Sequence, residues 1–266
     1  MNRKVILCQQ ALWLLFACSM LIFALGISWQ INKHANFLYG YWYQVLAIET
    51  VVSKHVPVNS QGKKDFPVNN ANLAEKMFAD IVTAIHQSGR GLAEISYRND
   101  KGLTGKFLTN SEVIHLQDVA NLIDGLTSLW RFNLLILVLL LTAYIKTAIA
   151  SNIKNSGNDN QAINSLWRMP SGKQKFVTLL VVVALITIIL MTWGFTQVFY
   201  YLHTVVFPEQ HQWFFYYQDS LMAAIMKAPD IFAVIAAQLL MVGMVLILAL
   251  DFAVSRWQKS IAKTKR

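Results

Sequence analysis

A histidine and a carboxylate three residues apart, His115 and Asp118, are the first side chains in this sequence that could do chemistry. On a helix that spacing puts both on one face. A carboxylate beside an imidazole fixes its tautomer and stabilises its cation, as a general base requires. The same pair is also an ordinary solvated helix face, and His-x-x-Asp alone does not decide between the two. A second histidine, His203, stands 88 positions further on and is followed by Phe207-Pro208. It reads either as a proton-transfer group or as an interfacial ring reaching for water. His34, His55, His86 and His211 have less to recommend them. Ser111 has an ordinary explanation as a helix-start residue and is a poor nucleophile candidate. No Gly-x-Ser-x-Gly elbow, Walker loop, Rossmann fingerprint or His-Glu-x-x-His is present. The cysteines, Cys8 and Cys18, build neither a disulfide framework nor a zinc pattern. No metal and no cofactor is expected.

The elements that must position these residues are mostly apolar. Hydrophobic residues make up 55% of the 266 positions and charged residues 14%, against roughly a quarter charged in soluble domains. Crossing a hydrocarbon core takes about 20 apolar residues as a helix. Four runs qualify, at 5–29, 130–149, 176–200 and 231–254. The first also resembles a secretory signal peptide, but a run of this length favours a retained anchor. The net charge of +9 is no sign of nucleic acid, because no aromatic-basic platform accompanies it. Arg3 and Lys4, then Lys154, Arg168, Lys173 and Lys175, then Arg256 to Arg266, fall on one side if the spans alternate. Both termini and the Asn/Ser/Gly-rich linker at 150–175 are therefore expected in the cytoplasm, with a basic tail at 255–266. The fold class expected is a polytopic α-helical membrane protein. It has four transmembrane helices and a small α+β extracytoplasmic domain, 30–129, between the first two.

That external segment opens with Phe37, Tyr39, Tyr41, Trp42 and Tyr43, expected as an interfacial aromatic belt. Leu73, Met77, Ile81 and Ile85 recur at four-residue spacing, an amphipathic helix over about 72–87. Residues 92–97 and 105–108 flank Asn99-Asp100-Lys101-Gly102, a short hairpin. Thr109 and Glu112 have capping-box spacing at the start of a helix that runs straight towards the second span. A second external loop, 201–230, is aromatic. The span cores hold no Asp, Glu or His before Asp251, whereas ion-coupled transporters place such groups at mid-membrane. Attention therefore moves to the outer surface, where His115 and His203 meet the ends of spans. Arg131, inside the outer end of the second span, needs a lipid phosphate, a carboxylate or a substrate carbonyl, or is a snorkelling anchor.

Two blocks carry a family resemblance. Ser111-Glu-Val-Ile-His115-Leu-Gln-Asp118-Val precedes the second span, and His203-Thr-Val-Val-Phe207-Pro208 with Trp213 ends the third. These blocks, with the four-span layout and large first external segment, resemble the bacterial lipoprotein intramolecular transacylases. The sequence departs from the family pattern where Trp213 leads into Phe-Phe-Tyr-Tyr, with Asp219 later, instead of an acidic residue followed by proline, which marks a divergent branch. The resemblance implies an enzyme of the bacterial cytoplasmic membrane working at the outer leaflet without a cofactor. Its substrates would be diacylglyceryl-modified lipoproteins within membrane lipid. It would move the sn-2 acyl chain to the α-amino group of the N-terminal cysteine, leaving a lyso-form lipoprotein. His115, oriented by Asp118, would be the base and His203 the oxyanion donor or acid, with the roles open to exchange. Arg131, Phe207 and Trp213 would contact substrate. The alternative from another class is a non-enzymatic membrane-anchored sensor or assembly subunit that binds a protein partner through its external domain. A metal-dependent hydrolase is disfavoured by the missing ligand motifs, and a channel by spans without polar stripes.

Overall fold

The computed structural model describes residues 3–153 and 172–264. Most of the linker expected at 150–175 lies outside them. The chain divides into two units, one of residues 1–28, 128–191 and 242–266, the other of residues 29–127 and 192–241.

Three long helices dominate: α1 (Arg3–His34), α5 (Asn110–Ile153) and α9 (Asp230–Thr264). Among the described residues, stretches of these three are long and apolar enough to cross a membrane: Ile6–His34, Asn110–Lys146 and Asp230–Ala253. The third apolar run, expected as one span over 176–200, is instead two helices, α6 (Gly172–Trp193) and α7 (Phe195–Val206). They break at Gly194, whose φ of 78° and ψ of 149° is open to glycine and costly for residues with a Cβ. Counting that broken pair as one span gives four.

In the first unit, α1 and α5 meet through Phe16, Leu137, Leu140 and Tyr144. The contact is polar at two points. Asn133 donates to the Ser19 carbonyl at 2.9 Å and the Trp130 indole N–H to the Phe23 carbonyl at 3.2 Å. A Cβ on Gly26 would stand 2.1 Å from the Trp130 ring nitrogen, so the helices approach closely only because residue 26 has no side chain.

The second unit has the larger core. Helices α2 (Tyr39–Val45), α3 (Ile48–His55), α4 (Ala71–Ile85) and α8 (Leu221–Met226) pack there. The amphipathic helix expected near 72–87 is α4. Asn70 caps it by accepting from the Leu73 N–H at 2.9 Å, and it buries Met77, Phe78 and Ile81. The hairpin is β1 (Ser96–Arg98) paired antiparallel with β2 (Thr104–Lys106), Tyr97 opposite Gly105. Asn99 shapes its turn by accepting from the N–H groups of Lys101 and Leu103. Asp65 fastens the hairpin, accepting from the Tyr97 hydroxyl at 2.7 Å and the Asn99 amide at 2.6 Å.

Of the five aromatics at 37–43, three are not the belt expected of them, while Tyr41 stays exposed. Phe37, Tyr39 and Tyr43 are buried in this core. The Tyr39 hydroxyl donates to the Ile225 carbonyl at 2.7 Å, and its ring stacks on Phe78. Burying these rings is worth more than leaving them at a surface, because each removes a large apolar area from water.

Candidate active site

The site is built on the first turns of α5 and the chain that follows α7, all within the second unit. Thr109 and Glu112 form the capping box. The Thr109 N–H donates to Glu112 Oε2 at 2.5 Å, and the Glu112 N–H donates to Thr109 Oγ1 at 3.3 Å. Glu112 is wholly buried, so its charge needs more than a cap. The Ser220 hydroxyl donates to Oε1, and Lys63 Nζ stands 3.7 Å from Oε2. Lys63 also donates to the Phe107 carbonyl at 2.6 Å. Burial pulls the Lys63 pKa down while Glu112 pushes it back up. Ser220 in turn caps α8, accepting from the Ala223 N–H at 2.8 Å. One buried network thus ties the start of α5 to α8, a turn upstream of the first histidine.

His115 is 7% exposed. Its ring centroid lies 6.0 Å from that of His203 and 5.0 Å from that of Phe207. The third side of the triangle, His203 to Phe207, is 5.1 Å. Phe215 closes on His115 at 5.9 Å. His115 Nδ1 is buried without a hydrogen-bond partner, so this nitrogen is free for an incoming group. His115 belongs to the compact unit that includes residues 29–127, before α5 enters the other unit.

His203 lies in the last turn of α7. Its Nδ1 is 2.7 Å from the Phe199 carbonyl. A carbonyl only accepts, so Nδ1 carries the proton, and Nε2 of the neutral ring is an acceptor. Phe199, Phe207 and Trp213 surround the ring at 4.1, 5.1 and 5.2 Å. Two sequence candidates, Phe207 and Trp213, are therefore wall residues of the histidine pair.

Asp118 does not serve His115 as expected. Its Oδ2 is 2.6 Å from Nδ1 of His211, a histidine that no local motif favours. Spacing on α5 does put Asp118 on the His115 side, but the loop between Phe207 and Trp213 brings a second imidazole to it. Ser220 and Lys63 were likewise not legible as members of the site. Their link to Glu112 spans 108 positions in one case and appears in no local motif. Arg131 lies in the other unit with an exposed side chain and is not part of this cluster.

The arrangement can move protons. It has an acceptor nitrogen on His203, an unpartnered nitrogen on His115, and half-buried aromatic walls around both rings. A family model described as lipoprotein intramolecular transacylase Lit matches residues 12–232. Among solved structures the chain is similar to the membrane-integral lipoprotein intramolecular transacylase Lit from Bacillus cereus. The TM-score is 0.59 at 12% identity, covering 97% of this chain and 95% of that one. At that identity the likeness speaks for the fold. No curated protein matches the chain by sequence.

Proposed function

We propose a specific reaction for this chain, which belongs to the lipoprotein intramolecular transacylase family: transfer of the sn-2 acyl chain of a lipoprotein's diacylglyceryl group to the α-amino group of its N-terminal cysteine. The chain is a multi-pass membrane protein and, by its family, an acyltransferase. The observation that carries the finer reading is the pair of histidines, distant in sequence, with ring centroids 6.0 Å apart.

Ester aminolysis asks for three things. The amine must lose a proton as its nitrogen bonds the carbonyl carbon, the oxyanion needs a donor, and the departing glycerol oxygen needs a proton. His203 fits the proton carrier, because its Nδ1–H is held by a carbonyl and Nε2 is left to accept. It takes the proton from nitrogen as the N–C bond forms and gives it to the glycerol oxygen as the C–O bond breaks. His115 fits the oxyanion donor. A neutral imidazole can play this part without protonation, its N–H pointing at developing negative charge. This reverses the roles read from the sequence, because the carboxylate thought to make His115 the base is engaged by His211. Phe207 and Trp213 would pack on the glyceryl and acyl portion, and Arg131, outside this cluster, would meet a lipid phosphate. Holding ester and amine in a reactive pose can supply roughly 7–11 kcal/mol. The Arg and Lys distribution supports a bacterial cytoplasmic membrane protein with both termini inside and residues 30–129 outside.

The test is reconstitution of the full chain in vesicles with a diacylglyceryl-cysteine peptide. Transfer within one molecule leaves the mass unchanged, so fragment ions must distinguish N-acyl from O-acyl product. His115→Ala and His203→Ala should each cost on the order of 10²–10⁴-fold. The double variant should be scarcely worse than either, since the two act as a unit. Normal product from either single variant would refute the mechanism and favour a binding role for the external domain.

A further inference from the structure

The substrate's α-amino group poses a problem that the histidine pair does not solve. Such a group has a pKa of about 8, so near neutrality it arrives largely as an ammonium ion with no lone pair. That proton must leave for solvent before attack. The proton His203 carries is a different one, passed from nitrogen to glycerol oxygen within the site. His115 is buried, 7% exposed, and has no path to carry that proton away.

We propose that His211, held by Asp118, is the group that strips this first proton from the substrate ammonium and delivers it to water. The inference rests on the reaction proposed above. Three observations carry it. His211 Nδ1 donates to Asp118 Oδ2 at 2.6 Å, which fixes the tautomer and leaves Nε2 to accept. The imidazole side chain is 35% exposed and the carboxylate 16%, so the pair can reach solvent, unlike His115. Both residues are close along the chain to residues of the histidine pair and its walls. Asp118 is one turn after His115 on α5, and His211 lies between Phe207 and Trp213, the rings packed on His115 and His203.

The step balances. A lone pair on His211 Nε2 takes H⁺ from R–NH₃⁺, giving R–NH₂ and an imidazolium whose charge Asp118 stabilises. The imidazolium releases H⁺ to water, and the amine then attacks the ester. One proton is released to solvent per turnover. The charged group on the His211 ring is Asp118, from α5; Glu209 lies two residues before His211 in the same loop.

The experiment follows single-turnover N-acylation by the reconstituted full chain from pH 6.5 to 9.5, with wild type, His211→Asn and Asp118→Asn. Without the acceptor, reaction waits for peptide that arrives as free amine. That fraction is about one in thirty at pH 6.5 for a pKa near 8. His211→Asn should lose up to roughly thirtyfold at pH 6.5 and converge on wild type above pH 8.5, with Asp118→Asn changing in the same direction. Recovery of one preparation at alkaline pH is its own control for folding. A loss equal at every pH would mean that the pair only braces the loop, and would overturn the proposal, as would no loss at pH 6.5. Wild type giving no N-acyl product at any pH would refute the parent reaction and this inference with it; wild-type activity with either overturning profile refutes this inference alone.

Discussion

Lys63→Met removes the cation beside a fully buried carboxylate and should be among the most damaging single changes in the second unit. Methionine nearly matches the lysine stem in volume, so no large cavity opens and the loss is of the countercharge, with the hydrogen bond to the Phe107 carbonyl lost beside it. Glu112, at 0% exposure, would keep the Thr109 N–H and the Ser220 hydroxyl but lose its countercharge at 3.7 Å. Breaking a buried pair from one side typically costs about 3–5 kcal/mol. At about 2–4 °C per kcal/mol for a protein of this order, the unfolding midpoint should fall by roughly 6–20 °C. The assay is thermal unfolding of the purified full chain in detergent by tryptophan fluorescence, with all variants at one scan rate because unfolding of such a protein is commonly irreversible. Lys63→Met with Glu112→Gln should recover most of the loss, since removing both charges leaves no uncompensated ion. A midpoint within 2 °C of wild type for the single variant, or a double variant worse than the single, would refute the electrostatic account.

One further outcome follows from the proposed topology. A phosphatase reporter inserted near Gln61 or Gln212 should be active and one fused after Arg266 silent, and activity at the C-terminal fusion would reverse the proposed orientation.

Much of the scaffold was legible because it rests on local rules. The capping box at Thr109 and Glu112 could be read from spacing alone, and both of its bonds are present. So could α4, whose apolar stripe repeats every turn, and the hairpin around Gly102. What stayed hidden depends on partners far along the chain. A run of aromatics reads the same at a membrane surface and in a core; the fate of Tyr39 is decided by the Ile225 carbonyl, 186 positions away. The six residues of α8, Leu221–Met226, are too few to show a period. Gly194 sat inside an apolar run that looked uninterrupted, and one glycine there is a weak signal of a break. Asp118 was placed on the correct helix face, but a face does not choose between two imidazoles.

The imidazoles of the second unit are better sorted by what holds each ring nitrogen than by sequence neighbours. His86 has both nitrogens engaged. Its Nδ1–H donates to the Val82 carbonyl at 2.6 Å and its Nε2 accepts the Trp29 indole N–H at 2.9 Å. An indole only donates and a carbonyl only accepts, so that ring is locked neutral. Burial further pulls its pKa down, and it has no nitrogen left for a substrate: it is a structural histidine. His203 and His211 each give Nδ1–H to an oxygen and keep Nε2 open, but a carbonyl and a carboxylate are different partners. The carbonyl merely orients the ring, which suits a group that takes a proton and returns it within one turnover. The carboxylate stabilises the cation, which suits a group that must hold a proton long enough to lose it to water. His115 alone has a buried nitrogen with no partner. Leaving it unmade costs on the order of 1–3 kcal/mol, and an oxyanion bound there would recover the cost at the stage of the reaction where negative charge develops.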